Sequence, residues 1–251
     1  MIPTVSLLGL DFADLTAEQA AAAIAARPEG APFAYTVTPN ADHLVRLARD
    51  PALAALYRGA WLKLLDSRVV AGLGRLAGVK VPRVATGSDV TALLLRHHLR
   101  PGERVTIIGL RPDWLPALAA RHGLAPPMHH DPPMGFDRDP AAFAAAVAFA
   151  RAHPARFVFL AVGSPRQERL AAAIAAAGAT GTGLCIGASL AFLAGAEPRA
   201  PLWMRHHGLE WAFRLARDPR RLARRYLLDS PCVVPLLLRE RAARGRPAAG
   251  R

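Results

Sequence analysis

The stretch RFVFLAVGSPRQERLAAAIAAAG, residues 156–178, decides the fold class. Its first part is an apolar run closed by Gly163, which is typical of a strand buried on both faces of a parallel sheet. The Ala-rich part after Ser-Pro predicts the helix that follows this strand. The same pair recurs upstream as VTIIGL (105–110) and PDWLPALAARHG (112–123). Alternation of strand and helix predicts right-handed crossovers, and therefore an α/β fold with a mainly parallel sheet.

Further strands precede these pairs. The run VSLLGLDF (5–12) predicts a short strand, and Thr16 then begins a capping box ahead of a helix. FAYTVT (33–38) and WLKLL (61–65) predict two more strands. Open parallel sheets bind ligands at the carboxyl ends of their strands. The candidate binding loops are therefore those that begin at Pro39, Asp66, Gly109 and Gly163.

The composition restricts the function classes. Hydrophobic residues make up 52% and charged residues 20% of the 251 residues, which excludes an intrinsically disordered chain. The formal net charge of +13 predicts an anionic partner: nucleic acid, phospholipid headgroups or a phosphorylated substrate. Cys185 and Cys232 lie in apolar surroundings and indicate structural thiols in a reducing compartment. The N-terminus has no basic region of the kind that opens a signal peptide.

Residues 170–196 carry no charge, and the segment is long enough to span a bilayer. It is mostly Ala, Gly and Thr, however, and GATGTG (178–183) is a turn signal. We interpret this segment as a helix, a turn, a buried strand and the start of a second helix, and not as a membrane span.

The segment after Arg199 is crowded with arginine and aromatic residues. Helical spacing predicts one basic stripe, made of Arg214, Arg217, Arg221 and Arg224. Its apolar counterpart consists of Trp211, Leu215, Leu222 and Tyr226. We therefore divide the chain into an α/β core (1–200) and a basic C-terminal appendage with a frayed tail (201–251). Arginine with tryptophan and an apolar face suits an anionic membrane surface, while the later run VVPLLL is far too short to span it.

Several segments together resemble the WecG/TagA/CpsF family of glycosyltransferases. The segments that carry the resemblance are TPNADHLVRL (38–47), LLDSRVV with Asp66, PRVATGSDVT (82–91) and VGSPRQE (162–168). The longest is IGASLAFLAGAEPRAPLWMRHHGLEWAFRLARDPRRLARRYLL (186–228). The resemblance covers residues 5–230, nearly the whole chain.

The resemblance implies a Rossmann-like α/β core with a basic C-terminal appendage that meets the membrane and helps to complete the active site. It implies an inverting, metal-independent transfer from a UDP-sugar to an undecaprenyl-diphosphate-linked sugar, without a cofactor, in cell-surface polysaccharide synthesis. The implied partners are the donor, the lipid-linked acceptor and an anionic membrane surface, and no nucleic acid. A homo-oligomer is compatible with the sequence. The implied location is cytoplasmic, with peripheral attachment to the inner face of the cell membrane.

The chain departs from the family pattern in two places. Ser67 follows Asp66 where the family usually has glycine, and Leu190-Ala191 stands where the family usually has Phe-Asp. The second change removes an acid, and it therefore predicts an altered donor pocket.

Inverting transfer needs a base that removes the proton of the acceptor hydroxyl while its oxygen attacks the anomeric carbon. Asp66 stands where an apolar run ends, and its match in the family is the proposed base. From position alone, a helix cap or a surface ion pair also explains it. Thr38 joins Asp66 in the predicted catalytic set. Thr38 and Asn40 suit sugar hydroxyls, and the alternative is an Asx-type turn cap after Pro39.

The departing diphosphate needs arginines and helix N-termini to stabilise its charge, because no metal is expected. The candidates are Arg83, the helix start Gly87-Ser88-Asp89, and the appendage residues Arg214, Arg221 and Arg224. A solvated basic face explains the appendage arginines equally well, and Arg217 or Arg225 could replace any of them. Glu168, at a helix start, also complements the helix dipole. The other predicted donor-site residues are Gly109, Gly163, Pro165, Gln167, Gly187 and Arg199.

Two sequence patterns suggest metal sites. Asp137-Arg138-Asp139 matches the D-x-D motif with which many other glycosyltransferases hold Mn²⁺ or Mg²⁺, but Asp139 before Pro140 is explained as a helix cap. His129-His130-Asp131 lies in a linker rich in Pro, Met and His (125–138). Adjacent side chains rarely converge on one ion, so we interpret these three residues as a loop.

Two alternative functions remain open. A dinucleotide-dependent oxidoreductase would use Gly181, Gly183 and Gly187, but their spacing is G-x-G-x-x-x-G and no convincing strand precedes them. A nucleic-acid-binding protein would use the Arg-rich helices and their aromatic residues for phosphate and stacking contacts.

Overall fold

The computed structural model describes residues 1–244, and two sheets organise them. The strands are β1 (Thr4–Leu7), β2 (Leu10–Ala13), β3 (Ala34–Val37), β4 (Leu62–Lys63), β5 (Thr106–Gly109), β6 (Met128–His130), β7 (Ala155–Ala161) and β8 (Gly181–Cys185). Strands β3 to β8 form one sheet in the order β4-β3-β8-β7-β5-β6, and every neighbouring pair is parallel. The predicted α/β fold with a parallel sheet is therefore confirmed, and the core is Rossmann-like.

Helices connect the strands and cover the sheet. Those of the first 200 residues are α1 (Ala17–Ala25), α2 (Ala41–Leu47), α3 (Pro51–Gly59), α4 (Arg68–Leu76), α5 (Gly87–Leu93), α6 (Leu115–His122), α7 (Pro140–Ala152), α8 (Arg166–Ala176) and α9 (Ser189–Ala194). They are followed by α10 (Leu202–His206), α11 (Glu210–Arg217), α12 (Pro219–Ala223) and α13 (Val233–Arg244).

Both faces of the sheet are buried because its strands carry apolar side chains in both directions. On β7, Val158 and Leu160 belong to one cluster of buried residues, and Phe157 and Phe159 belong to the other. The first cluster includes residues of α2, α3, α7 and α8, and the second includes residues of α1, α5, α6 and α9. Burial on both faces leaves the carboxyl ends of the strands as the place for a binding site.

The N-terminal strand differs from the sequence prediction. The run VSLLGLDF forms two antiparallel strands, β1 and β2, and not one. Leu8 and Gly9 make the turn between them with φ angles of 50° and 75°. Glycine adopts positive φ without strain, and this allows the tight reversal. The hairpin buries Leu7 and Phe12 completely in the first cluster.

Several local predictions are confirmed. Thr16 and Gln19 form the capping box of α1, and Pro51 begins α3 after Asp50 caps it. The uncharged segment 170–196 contains the rest of α8, a turn, the buried strand β8 and α9. Among the helices of residues 1–244, none is both long enough and apolar enough to cross a bilayer.

The Pro-, Met- and His-rich linker is more regular than predicted. Residues Met128–His130 form β6, an edge strand that pairs with β5, so the interpretation of His129 and His130 as loop residues is wrong. The ring Nε2 of His129 lies 3.0 Å from the carbonyl oxygen of Leu110, and His130 stacks on Phe149. Through these contacts both histidines pack at the edge of the sheet.

The basic C-terminal segment is helical, but it is not one helix. Asp218 ends α11 and caps α12, which Pro219 begins. A π-helical turn follows at Arg224–Asp229. The prediction of a single stripe is therefore wrong: Asp218-Pro219 interrupts the backbone hydrogen bonding, and the π turn changes the helical phase.

The helices after residue 200 pack on the helices before it. Helix α13 contacts α2 and α4. Its residues Val233 and Leu237 are buried in the first cluster, which also contains Val158 and Leu160 of β7. The composition changes at the predicted boundary at residue 200, but apolar packing continues across this boundary. The part of the predicted tail at 245–251 lies outside the described residues.

Candidate active site

Two clefts meet at the carboxyl ends of the parallel strands. The polar cleft, about 480 Å³, is lined by the ends of β3, β7 and β8 and by arginines of the C-terminal helices. The apolar cleft, about 510 Å³, lies between the start of α4 and the C-terminal helices. The residues that line both clefts, which we name the shared wall, are Asn40, Asp42, Asp66, Ser88, Phe192 and Arg214.

Asp66 is held in the shared wall by backbone contacts on both sides. It follows Leu64 and Leu65, which are fully buried, and its own N–H donates to the carbonyl oxygen of Pro39 at 3.0 Å. Its Oδ2 accepts a hydrogen bond from the N–H of Gly87 at 3.1 Å. Both the loop that carries Asp66 and the start of α5 are therefore held at the end of the sheet.

The surroundings of Asp66 change its protonation. Burial raises the pKa of Asp66 from 3.8 to about 7, against the hydrogen bond from Gly87, which lowers it. The nearby carboxylates of Glu210 and Asp89 raise this pKa further, and Arg199 lowers it. A carboxyl group with a pKa near 7 is about half ionised at neutral pH, and this pKa suits a group that accepts a proton during a reaction.

Thr38 lies beside this aspartate because of a close approach at Gly87. A Cβ atom at Gly87 would lie 2.8 Å from the Oγ1 of Thr38, so only glycine lets the start of α5 come this near to the end of β3. Thr86 caps α5 and accepts from the N–H of Asp89. The approach brings the hydroxyl of Thr38 and the N-terminus of α5 together beside the carboxylate.

The polar cleft carries an excess of positive charge. Five arginines line it, against the three carboxylates of Asp42, Asp66 and Glu197. The arginines are Arg46, Arg166, Arg214, Arg221 and Arg225. Asp42 is shared, since its Oδ2 lies 3.2 Å from Arg46 and 3.3 Å from Arg225. The surplus favours an anionic ligand such as a diphosphate.

His43 adds a neutral imidazole to this cleft. Burial lowers the pKa of His43 well below its usual value, and Arg46 and Arg225 lower it further. Its Nδ1 accepts from the N–H of Asn40 at 3.2 Å, which makes the two residues a capping box for α2. The imidazole is therefore uncharged at neutral pH, and its remaining ring nitrogen carries the proton.

The apolar cleft combines a hydrophobic lining with one polar end. Its hydrophobic lining includes Val69, Leu73, Trp211, Tyr226, Leu227, Val233 and Val234. At the polar end, Asp89 pairs with Arg199 at 2.9 Å and with Arg205 at 3.4 Å. Burial alone would raise the pKa of Asp89, but Arg199, Thr86 and Arg205 hold it below its usual value. Such a cleft suits a molecule with an apolar chain and a polar head.

A comparison with protein-family models agrees with this geometry. Residues 5–247 match the model described as the glycosyl transferase WecG/TagA/CpsF family, which is nearly the whole chain. The chain belongs to this family. It is therefore a glycosyltransferase, and its family acts in the synthesis of cell-surface polysaccharides.

Most of the predicted site residues of this glycosyltransferase come together at the two clefts. Those that line the polar cleft or the shared wall are Thr38, Asn40, Asp66, Ser88, Gly163, Gln167, Gly187, Arg214 and Arg221. Asp89 and Arg199 line the apolar cleft. Gly87 lines neither cleft, but it contacts both Asp66 and Thr38. These residues come from segments as far apart as β3 and α12, so the fold gathers them.

Besides Gly87, five predicted residues lie outside both linings. Arg83 reaches the start of α1, where its Nη1 lies 3.4 Å from Gln19. Gly109 packs against the backbone of Ala161, and Pro165 follows a cis peptide bond before α8. The remaining two are Glu168, which is buried beneath the polar cleft, and Arg224, whose side chain is 85% exposed near Asp229.

The structural alternatives considered for two residues are also realised. Asn40 caps α2, as the Asx-type alternative predicted, and it lines both clefts as well. Asp139 caps α7 through the N–H groups of Ala141 and Ala142, so its place in the D-x-D pattern is explained as predicted. Its partner in that pattern, Asp137, lies 3.8 Å from Arg169.

The two departures from the family pattern have clear places in this glycosyltransferase. Ser67 caps α4 by accepting from the N–H of Val70 at 3.1 Å. Leu190 is fully buried in the second cluster, and Ala191 lines the polar cleft. The acidic side chain of the family pattern would therefore lie at the wall of the polar cleft.

Two of the three glycines of the oxidoreductase alternative serve the packing of the sheet. Gly181 and Gly183 lie inside β8, and not in a turn after a strand. A Cβ at Gly183 would lie 2.5 Å from the ring of Phe33, and one at Gly181 would lie 2.0 Å from the carbonyl oxygen of Ala155. Close packing therefore requires both glycines.

Sequence reasoning missed Arg46, Arg166, His43 and Arg205, and it gave Arg225 only as a substitute. His43 and Arg46 lie within TPNADHLVRL, three and six residues after Asn40, on the turns of α2 that face the cleft. Arg166 stands within VGSPRQE. Each of these lies in a segment that carried the family resemblance, so the segments themselves were the available signal.

Proposed function

We propose that this glycosyltransferase moves a sugar, with inversion, from a UDP-sugar to a sugar on undecaprenyl diphosphate. In this proposal Asp66 is the base, and neither a metal ion nor a cofactor takes part. One observation carries the proposal: the carboxyl of Asp66, with a pKa near 7, stands in the wall between an arginine-rich polar cleft and an apolar cleft.

The polar cleft is the proposed donor site. Its arginines exceed its carboxylates, as two phosphate groups require, and the ends of β7 and β8 bring backbone close to the ligand at Gly163 and Gly187. Arg214 and Arg225 enter the cleft from the C-terminal helices, so a diphosphate would bind between the sheet and these helices. Such placement accounts for the basic segment without a nucleic-acid ligand.

The apolar cleft is the proposed acceptor site. Its hydrophobic lining suits the first units of a prenyl chain, and Asp66 lies at the side where the acceptor sugar must meet the donor. The C-terminal helices also expose large apolar side chains beside arginines, namely Leu202, Trp203, Leu227, Leu228 and Leu238. Apolar side chains with arginines bind anionic membrane surfaces, so these helices are proposed to hold the enzyme peripherally on the cytoplasmic face of the cell membrane.

The proposed reaction is a single displacement. Asp66 takes the proton of the acceptor hydroxyl as its oxygen bonds to the anomeric carbon on the face opposite UDP. The bond between the anomeric carbon and the diphosphate oxygen breaks, and the electron pair leaves with UDP. Arg214, Arg221 and Arg225 stabilise the added negative charge, and Thr38 orients a hydroxyl of the sugar beside Asp66.

A donor screen tests this proposal. UDP release is measured for a panel of UDP-sugars with a short-chain polyprenyl-diphosphate sugar as acceptor, in EDTA and in Mn²⁺. One donor should give turnover that EDTA leaves intact, and Asp66→Asn should lose most of it while still binding UDP. Loss of turnover in EDTA with recovery in Mn²⁺ would contradict the metal-independent mechanism, and a crystal structure with UDP far from Asp66 would contradict the site.

A further inference from the structure

Glu168 lies beneath the polar cleft and not in it. It is 1% exposed, and it does not line either cleft. Its Oε1 accepts two hydrogen bonds, one from the Oη of Tyr57 and one from the Nε2 of Gln167, both at 2.9 Å. Its Oε2 is buried and has no hydrogen-bond partner among residues 1–244. A buried polar atom without a partner destabilises a fold, so packing alone does not account for this carboxyl group.

The hydrogen bond from Gln167 fixes how its amide is turned. An amide has a donor end and an acceptor end. Since Nε2 donates to Glu168, Oε1 faces the other way and accepts from the N–H of Gly187 at 2.9 Å. Gly187 has a φ of 52° and forms, with Ala188 and Ser189, the turn that lines the polar cleft after β8. Glu168 thus holds one wall of the cleft through Gln167.

The hydrogen bond from Tyr57 leads to a second wall. The single hydroxyl hydrogen of Tyr57 is directed at Glu168, so Ser164, whose Oγ is 3.4 Å from that hydroxyl, is the donor to Tyr57. The Oγ of Ser164 in turn accepts from the Nη2 of Arg46 at 3.3 Å. Both Ser164 and Arg46 line the polar cleft. The chain of donors therefore runs from a cleft arginine to the buried carboxyl.

We infer that Glu168 is a positioning residue for the nucleotide-sugar donor. Without touching the ligand, it holds the Gly187 turn through Gln167 and the Ser164–Arg46 pair through Tyr57. One buried carboxyl oxygen thereby sets the distance between two walls of the cleft. This inference rests on the proposed donor site in the polar cleft.

Glu168→Gln is the primary test. The new amide nitrogen must take the place of Oε1, where it meets two donors, or of Oε2, where it is buried without an acceptor. Both arrangements loosen the network. The Kd for UDP, measured by calorimetry on the full chain, is expected to rise about tenfold. The kcat at saturating donor should stay within about twofold, because Asp66 lies outside the network.

A milder variant and a matched control separate positioning from general destabilisation. Tyr57→Phe removes one hydroxyl and should raise the Kd for UDP about threefold. Glu103→Gln removes a mostly buried carboxylate that pairs with Arg156 at 2.7 Å, at the amino ends of the strands. It should lower the thermal unfolding midpoint and leave the Kd for UDP within about twofold.

Wild-type affinity for UDP in Glu168→Gln and Tyr57→Phe would overturn the positioning role, as would an equal loss of affinity in Glu103→Gln. Should Glu168→Gln fail to fold, the affinity of Tyr57→Phe decides in the same way. If the wild-type chain itself did not bind UDP, the proposed donor site would fall and this inference with it.

Discussion

Raising the pH from 5 to 8 is expected to increase the kcat/KM of the wild-type enzyme about a hundredfold. Asp66 can act as a base only when ionised, and burial raises its pKa from 3.8 to about 7. The ionised fraction is then about 1% at pH 5, one half at pH 7 and nine tenths at pH 8. An aspartate with the ordinary pKa would already be ionised at pH 5 and would give a flat profile.

The same shift predicts an opposite effect on stability. The folded protein binds this proton more tightly than the unfolded chain does, so the stabilisation is complete below about pH 4 and is lost as the pH rises through about 7. About three pKa units correspond to at most about 4 kcal/mol, since the side chain keeps some contact with solvent in the clefts. Asp66→Asn does not titrate and should exceed the wild type in free energy of unfolding at pH 8.

Two measurements on the wild type and Asp66→Asn test the raised pKa of Asp66. The pH–rate profile of kcat/KM is recorded by UDP release between pH 5 and 9, with donor and acceptor both below their KM values. Urea denaturation at pH 5 and pH 8 gives the free energy of unfolding of wild type and Asp66→Asn. The advantage of the variant should be at most about 3 kcal/mol larger at pH 8 than at pH 5. A flat rate profile, together with an advantage that does not change with pH, would refute the raised pKa.

Three further changes test other parts of the molecule. Arg225→Ala should raise the Kd for UDP about tenfold in calorimetry, whereas Arg224→Ala should leave it within about twofold because that side chain is exposed. Gly87→Ala places a Cβ 2.8 Å from the Oγ1 of Thr38 and should lower kcat at least about tenfold in the UDP-release assay, although alanine favours helices. Leu237→Ala should lower the free energy of unfolding, measured with urea, by about 2–5 kcal/mol; unchanged stability would mean that α13 folds apart from the core.

The parallel sheet could be predicted because each of its central strands is a local signal. The runs around β5 and β7 are apolar on both faces, and each is followed by a helical pattern. The β1–β2 hairpin was missed because its turn places Leu8 at positive φ, a conformation that residues other than glycine rarely adopt. Strand β6 was missed because its three residues, Met128–His130, lie in a segment with the composition of a linker.

The candidate site was predictable where it depends on strand ends. Asp66 and Thr38 each follow an apolar run, so their meeting at one edge follows from the parallel sheet. The phase of the C-terminal arginines was not predictable, because the π turn at 224–229 turns Arg225 towards the cleft and Arg224 towards solvent. A turn of this kind depends on tertiary packing and leaves no period in the sequence.

The contacts around α5 explain why point variants test the C-terminal helices better than truncation does. The start of α5 donates to Asp66 through Gly87, while Asp89, two residues on, pairs with Arg199 and Arg205. Removal of residues 201–251 would leave Asp89 without Arg205, would take Glu210 away from Asp66, and would expose the apolar surface beneath α13. A lost activity would then have several causes. Arg225 contacts Asn40, Asp42 and the ring of Tyr226, and it lines the polar cleft. Its replacement leaves the partners of Asp66 and Asp89 in place and therefore tests the proposed contribution of this segment to donor binding.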